Sequence, residues 1–173
     1  MSWVELVDSA GRATGSSTVE DAHRAPGLLH RAFSVLLRDP DGRLLLQRRS
    51  AAKTRFPLRW ANACCGHPAP GARVDTAAAR RLHEELSLAG VALHELGVYQ
   101  YRAEDPATSR VEHEYDHVLL GRVGADLALA PDPAEVDDLR WVAPAALIGE
   151  IAERPDVFAP WLAGVLALLN DGW

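Results

Sequence analysis

The sequence predicts an α+β domain, an α/β/α sandwich-like arrangement in which helices flank a mixed β-sheet. Three observations predict it. Apolar runs of strand length recur through the first 65 residues and again between 91 and 122. One stretch, 75–88, is apolar at helical rather than alternating spacing, and two more helical stretches close the chain. Strands interrupted by one helix and followed by two others suit helices packed on a sheet. There is no internal repeat and no low-complexity tract. At 173 residues the chain is read as one domain, 1–173. A chain of that length buries about two-thirds of its unfolded surface, so its core needs no disulfide or structural metal.

In order along the chain, Trp3 to Val7 reads as a short strand, and Asp8-Ser9-Ala10-Gly11 supplies turn chemistry. His30–Arg38 and Leu44–Arg48 are apolar runs around Asp39-Pro40-Asp41-Gly42, a hairpin with Pro and Gly at turn positions. Residues 49–58 are basic and polar and read as a loop. Trp60–Cys65 reads as one strand entering a Gly66-His67-Pro68 turn. Asp75–Leu88 is the clearest helix: Ala78, Leu82 and Leu86 recur every four residues, and Asp75 suits the positive end of the helix dipole. Val91–Arg102 and Val111–Arg122 are strand-like, Pro131-Asp132-Pro133 marks a loop, and Leu139–Val142 is a last short strand. Ala145–Glu153 and Phe158–Leu169 read as helices whose edges Pro155 and Pro160 fix.

Composition excludes several classes. A net charge of −6 with no basic run argues against nucleic-acid binding. No apolar stretch approaches membrane-spanning length, and the first residues lack the basic and apolar regions of a signal peptide. The two cysteines, Cys64 and Cys65, are adjacent and form no ordinary long-loop disulfide, which fits a reducing, cytoplasmic setting. The sequence leaves the oligomeric state open, a monomer included.

The chemistry concentrates in a few places. On an extended segment Cys65 and His67 share a face and Cys64 takes the other. A histidine beside a thiol is expected to lower its pKa, although a cysteine in a strand is more often a buried apolar residue. Glu112 and Glu114 share a strand face with Asp116, while His113, Tyr115 and His117 take the opposite one. Paired carboxylates repel unless a cation or proton lies between them, and with imidazoles available a metal is the natural third party. His23 and His30 stand across Pro26 and Gly27, a loop rather than a helical pair. Arg49, Lys53 and Arg55 crowd one loop. Arg81 and Glu85 are four apart on the helix, either a surface ion pair or an arginine for phosphate beside a carboxylate for a divalent ion. Arg80 and Glu84 repeat the spacing and read as surface. Trp161 is a core residue or a π face over a cation.

Taken together these residues resemble a type I isopentenyl-diphosphate Δ-isomerase, a member of the Nudix-like fold. The resemblance runs from about residue 3 to 165. It rests on His23 and His30, Gln47-Arg48-Arg49 with Lys53, Trp60-Ala61-Asn62 leading to Cys65-Gly66-His67-Pro68, Arg80-Arg81 to Glu85, Tyr101-Arg102-Ala103, Val111-Glu112-His113-Glu114 and Phe158-Ala159-Pro160-Trp161. The chain departs from the Nudix hydrolase box, with Ala72 at its first Glu, Arg81 at the Glu of its Arg-Glu step and Ser87 at its later Gly. That loss of metal-binding charge favours isomerase over hydrolase.

The resemblance implies a divalent-metal site of His23, His30, His67, Glu112 and Glu114, taking Mn2+, Zn2+ or Mg2+. It implies a Mg2+ held by Glu85, the main-chain carbonyl of Cys65 and the substrate diphosphate. Arg49, Lys53 and Arg81 are implied diphosphate contacts, and Trp161 faces a transient cation. Cys65 and Glu114 are the implied acid–base pair on opposite faces of the substrate, with Tyr101 on the donor side. The implied reaction is the 1,3-allylic proton shift between isopentenyl and dimethylallyl diphosphate in isoprenoid precursor synthesis. The alternatives are a Nudix-type diphosphate hydrolase, a binding module without turnover, and a structural zinc site.

Overall fold

The structure, a computed structural model, describes residues 1–124 and 126–169. Strands β1 (Trp3–Val7), β2 (Ala13–Thr18), β3 (His30–Arg38), β4 (Leu44–Arg49), β5 (Trp60–Asn62), β6 (Cys64–Gly66), β7 (Leu93–Glu104), β8 (Val111–Arg122) and β9 (Val136–Val142) join in one mixed sheet. The helices are α1 (Val19–Ala22), α2 (Val74–Leu86), α3 (Pro144–Glu153) and α4 (Leu162–Leu166).

β3 is the spine. Its run His-Arg-Ala-Phe-Ser-Val-Leu-Leu-Arg is buried on both faces because helices cover both sides of the sheet. Leu36 points into one core with Leu46, Val118, Leu147 of α3 and Leu162 and Val165 of α4. Phe33, Val35 and Leu37 point into the other, with Cys64 and with Ala78, Leu82 and Leu86 of α2. Burying each such leucine contributes roughly 1.5–3 kcal/mol. This is the expected α/β/α sandwich.

Pairing along β3 places the chemistry. β8 runs parallel to it, setting His30 opposite Glu114. β6 runs antiparallel on its other side, setting Ser34 opposite Cys65. β7 pairs with β8 and sets Tyr101 opposite Glu114.

Several elements depart from the sequence reading. Trp60–Cys65 is two strands: β5 pairs with β4 and β6 with β3. At the switch the Asn62 amide donates to the carbonyls of Val35, 3.2 Å, and Cys64, 2.8 Å, taking the place of strand bonds. β2 and α1 lay hidden because Ala-Thr-Gly-Ser-Ser-Thr is polar and largely exposed. Phe158 to Leu169 is not one helix. Phe158 is extended and bridges Trp60, the Ala159 amide donates to the Trp60 carbonyl at 2.8 Å, and only 162–166 are helical. Tertiary pairing overrides helical spacing there. α2 ends at Leu86, where Ser87 takes φ 55° as the left-handed cap; glycine usually fills such a position. β9 begins at Val136, ahead of Leu139, because its first residues pair with Arg48 and Arg49 of β4.

Candidate active site and metal centre

A cavity of about 1180 Å³ opens on one side of the sheet, lined by Cys65, His67, Tyr101, Glu112, Glu114 and Trp161 and by Arg49, Lys53, Arg55 and Arg81.

The imidazoles and carboxylates come first. His23 caps the C-terminus of α1 and His30 opens β3. Their Nδ1 atoms lie 2.6 Å from the Val19 carbonyl and 2.8 Å from the Leu28 carbonyl. A carbonyl only accepts, so each Nδ1 carries the proton and, in the neutral ring, each Nε2 presents a lone pair. Among the described residues both Nε2 atoms are buried without a hydrogen-bond partner, as is Glu112 Oε2. His23 Nε2 and Glu112 Oε2 sit 2.9 Å apart, two acceptors facing one another. One donor atom from each of His23, His30, His67, Glu112 and Glu114 lies within 4.8 Å of the rest. Buried acceptors converging without donors are what a divalent cation satisfies, and these residues fit one.

Glu114 is the hub. His67 Nε2 lies 2.9 Å from Oε1, His30 Nε2 3.7 Å from the same atom, and the Tyr101 hydroxyl donates to Oε2 at 2.8 Å. Burial would raise the Glu114 pKa, but the neighbouring His30 and His67 imidazoles hold it well below the ordinary carboxylate value. Burial pulls His67 down to about 4 against the pull of Glu114. Burial and the Glu114 charge push the Tyr101 hydroxyl well up, so it stays a donor.

The Cys65 wall is different. Its sulfur lies 3.3 Å from Asn62 Oδ1 and 3.7 Å from Ser34 Oγ. Burial, then the Asp116 charge, push the thiol up to about 12. This corrects the expectation that His67 lowers it: the His67 ring is bound to Glu114, and burial dominates at the sulfur. Cys64 does take the other face, buried in the α2 core. Trp161 is both core and cavity wall. It is 2% exposed, its indole donates to Asn62 Oδ1 at 3.1 Å, it packs edge-on against Phe56 at 5.6 Å, and the Arg49 guanidinium sits 5.3 Å over its ring.

The cations form a third group. Arg49 also donates to the main-chain carbonyls of Arg55 and Phe56, which pins the loop 50–58. Burial lowers the Lys53 pKa. Lys53 pairs with Glu135, and Arg81 pairs with Glu135 at 3.3 Å, with Glu84 at 2.7 Å and with Glu85. Glu85 is buried on α2 and accepts from Gln47 at 3.0 Å; it is not one of the five clustered ligands. Arg80 and Glu84 form the exposed pair the spacing predicts.

Sequence reasoning missed Arg55, Glu135, Asn62, Ser34 and the burial of Asp116. Arg55 reads as one cation of a basic loop, yet it donates to Glu112 Oε1 at 2.7 Å from a half-buried position. Asp116 was legible as sharing the Glu112–Glu114 face. It is fully buried, accepts from Ser34 at 2.7 Å, and burial beside Glu114 raises its pKa well above the usual value. Nothing local in the sequence signals Glu135, which reaches the site only because β9 pairs with β4.

Residues 28–162 match the NUDIX domain family. The chain is 61% identical over 170 residues to the isopentenyl-diphosphate Delta-isomerase of Nocardia farcinica, covering 98% of this chain and 95% of that protein. It belongs to the isopentenyl-diphosphate Delta-isomerase family, on a NUDIX domain. A relative of the same name from Streptomyces griseus is 47% identical over 163 residues, 94% of this chain and 81% of that protein. Among solved structures, a Deinococcus radiodurans protein superposes with a TM-score of 0.76 at 22% identity, covering 95% of this chain and 97% of that one. The MutT NUDIX hydrolase of Burkholderia pseudomallei gives 0.63 at 21%, over 82% of this chain and 98% of that one. These two likenesses speak for the fold alone. No described helix is long and apolar enough to cross a membrane.

Proposed function

We propose that this protein interconverts isopentenyl and dimethylallyl diphosphate by moving one proton onto, and another off, a five-carbon diphosphate. The observation that carries this reading is the meeting of Cys65 with Glu114 and Tyr101 in one cavity that is also lined by Arg49, Lys53 and Arg81. The names of its relatives agree.

Protonating the terminal methylene of isopentenyl diphosphate leaves a tertiary carbocation, and removing a proton two carbons away completes the shift. The Glu114–Tyr101 side delivers in this direction and Cys65 removes, each proton transfer contributing about 10²–10⁴-fold. Microscopic reversibility exchanges these roles in the other direction. A protonated thiol facing an ionised Glu114 is the charge state of that reverse direction. Arg49, Lys53 and Arg81 hold the diphosphate, which competes with Glu135 for the last two. The Trp161 ring faces the carbocation, worth roughly 2 kcal/mol where water is absent.

His23, His30, His67, Glu112 and Glu114 would hold Mn2+, Zn2+ or Mg2+, which supplies fixed positive charge and sets the protonation of Glu114. Glu85 and the Cys65 carbonyl would hold a Mg2+ that arrives with the diphosphate. The adjacent free cysteines, Cys64 and Cys65, suit a reducing cytoplasm.

Incubation with isopentenyl diphosphate in heavy water tests the reading. Deuterium in dimethylallyl diphosphate is the expected result. Release of phosphate or pyrophosphate without isomerisation would establish the hydrolase instead, and binding without turnover the inert module.

A further inference from the structure

Asn62 lies in the Trp-Ala-Asn segment before the cysteines and has no part in the chemistry above. Its side chain is fully buried. Nδ2 donates to the carbonyls of Val35 and Cys64, at 3.2 and 2.8 Å. Carbonyls only accept, so these contacts settle which end of the amide is nitrogen. Oδ1 then faces Trp161 Nε1 at 3.1 Å and Cys65 Sγ at 3.3 Å. An indole nitrogen only donates, and an acceptor oxygen beside a neutral thiol takes the sulfur's proton in a hydrogen bond. Both donor hydrogens and both acceptor lone pairs of the amide are used.

We propose that Asn62 is a positioning residue whose single carbonyl oxygen holds the Cys65 sulfur and the Trp161 indole at a fixed mutual geometry. The inference rests on the isomerase reading, in which the sulfur exchanges a proton beside the carbon whose charge the ring faces. Asn62 touches no substrate and acts through those two groups. Ser34 does not substitute for it. At 3.7 Å it is the longer of the two thiol contacts, and its hydroxyl proton is given to Asp116. A misplacement of about 1 Å at a reacting group costs up to about 100-fold in rate, so a shared anchor is a direct lever on turnover. The same amide also ties β5 to β6 and β3, and this merely structural role has to be separated from the positioning one. Nδ2 serves the strands, whereas Oδ1 serves the thiol and the indole.

The test combines kinetics with the indole N–H signals of ¹⁵N-labelled protein, the Trp161 signal being the one lost in Trp161→Phe. Asn62→Ala is expected to lower kcat about 10–100-fold with KM within about threefold, because the diphosphate contacts lie elsewhere. Its Trp161 signal moves upfield as the hydrogen bond is lost, and the other indoles stay in place. Asn62→Asp keeps an oxygen for both donors and recovers most of kcat at lower thermal stability. An unmoved Trp161 signal in Asn62→Ala, or a moved signal with unchanged kcat, overturns the proposal. If Asn62→Ala does not fold, Cys65→Ala reads the same coupling: freed of its second donor, the shared oxygen binds the indole more tightly and the signal shifts downfield. No shift there overturns it equally. Wild-type protein that fails to convert isopentenyl diphosphate sinks the isomerase reading alone, and the indole signals still decide whether one oxygen holds both groups.

Discussion

The two chemical walls of the cavity are built on different principles. On the Cys65 wall every polar atom of Asn62 has a partner, and thiol, amide and indole form a closed, neutral set. On the Glu114 wall two imidazole nitrogens and a carboxylate oxygen are buried with none. A neutral network is stable as folded and gains rigidity from being complete. A cluster of converging acceptors is costly until a cation enters. On the proposed reading, the chain finishes one reacting group by itself and leaves the other to a metal that the His/Glu cluster could hold.

Substitutions at the reacting groups probe this contrast most strongly. Cys65→Ser keeps the wall's shape and replaces the sulfur. It should lower turnover about 10²–10⁴-fold and remove deuterium incorporation from heavy water. A variant that retains most of its activity would mean the proton moves on one wall only. Next in size are the cations. Removing one charge-assisted contact costs about 1.5–3 kcal/mol, so Lys53→Ala should raise KM for isopentenyl diphosphate about tenfold or more with a smaller change in kcat. An unchanged KM would place the diphosphate elsewhere.

The open wall should also show itself in acid. His67 has a folded-state pKa of about 4 against an ordinary 6.5. Between those values the unfolded chain binds the proton and the native chain does not, so stability rises with pH across that window and falls as pH drops through it. Denaturant midpoints of chelator-treated protein from pH 4 to 6.5 should follow this slope, and His67→Gln should flatten it. A metal-saturated sample should be steeper, because protons then compete with the ion. Chelation that unfolds the protein outright would restore the structural-zinc reading.

The smallest effect concerns support from behind. A methyl group on Gly164 would lie 2.1 Å from the Tyr99 ring, which stacks on Tyr101 at 5.4 Å. Gly164→Ala should cost about 1–3 kcal/mol by overpacking and lower kcat several-fold through a displaced Tyr101 hydroxyl. Thermal melts and kinetics on one preparation check both, and loss of stability with unaltered kcat would detach Tyr101 from the reaction.

The legible and illegible parts of the site divide by how far apart in sequence their causes lie. Glu112, Glu114 and Asp116 were readable as one face because strand alternation is local and β8 is long and regular. The helical pair Arg81 and Glu85 was readable for the same reason. Asn62 was not. A single strand from 60 to 65 puts it on the face away from Cys65, and only the break between β5 and β6 brings its oxygen to the sulfur. Arg55 looked like one cation among several until its pairing with Glu112 appeared. The thiol's elevated pKa was hidden too, since it depends on burial in the folded sheet and on the Asp116 charge.

The sequence by itself determined the alternation of strands and helices, the ligand types and the family motifs, because side-chain periodicity and residue chemistry act within a few residues. Tertiary structure alone decided that β3 takes β8 on one side and β6 on the other. It also decided that an amide at 62 joins a sulfur at 65 to an indole at 161. Such contacts follow from how strands choose partners, a choice made by burying both faces of one sheet rather than by any stretch of the chain acting alone.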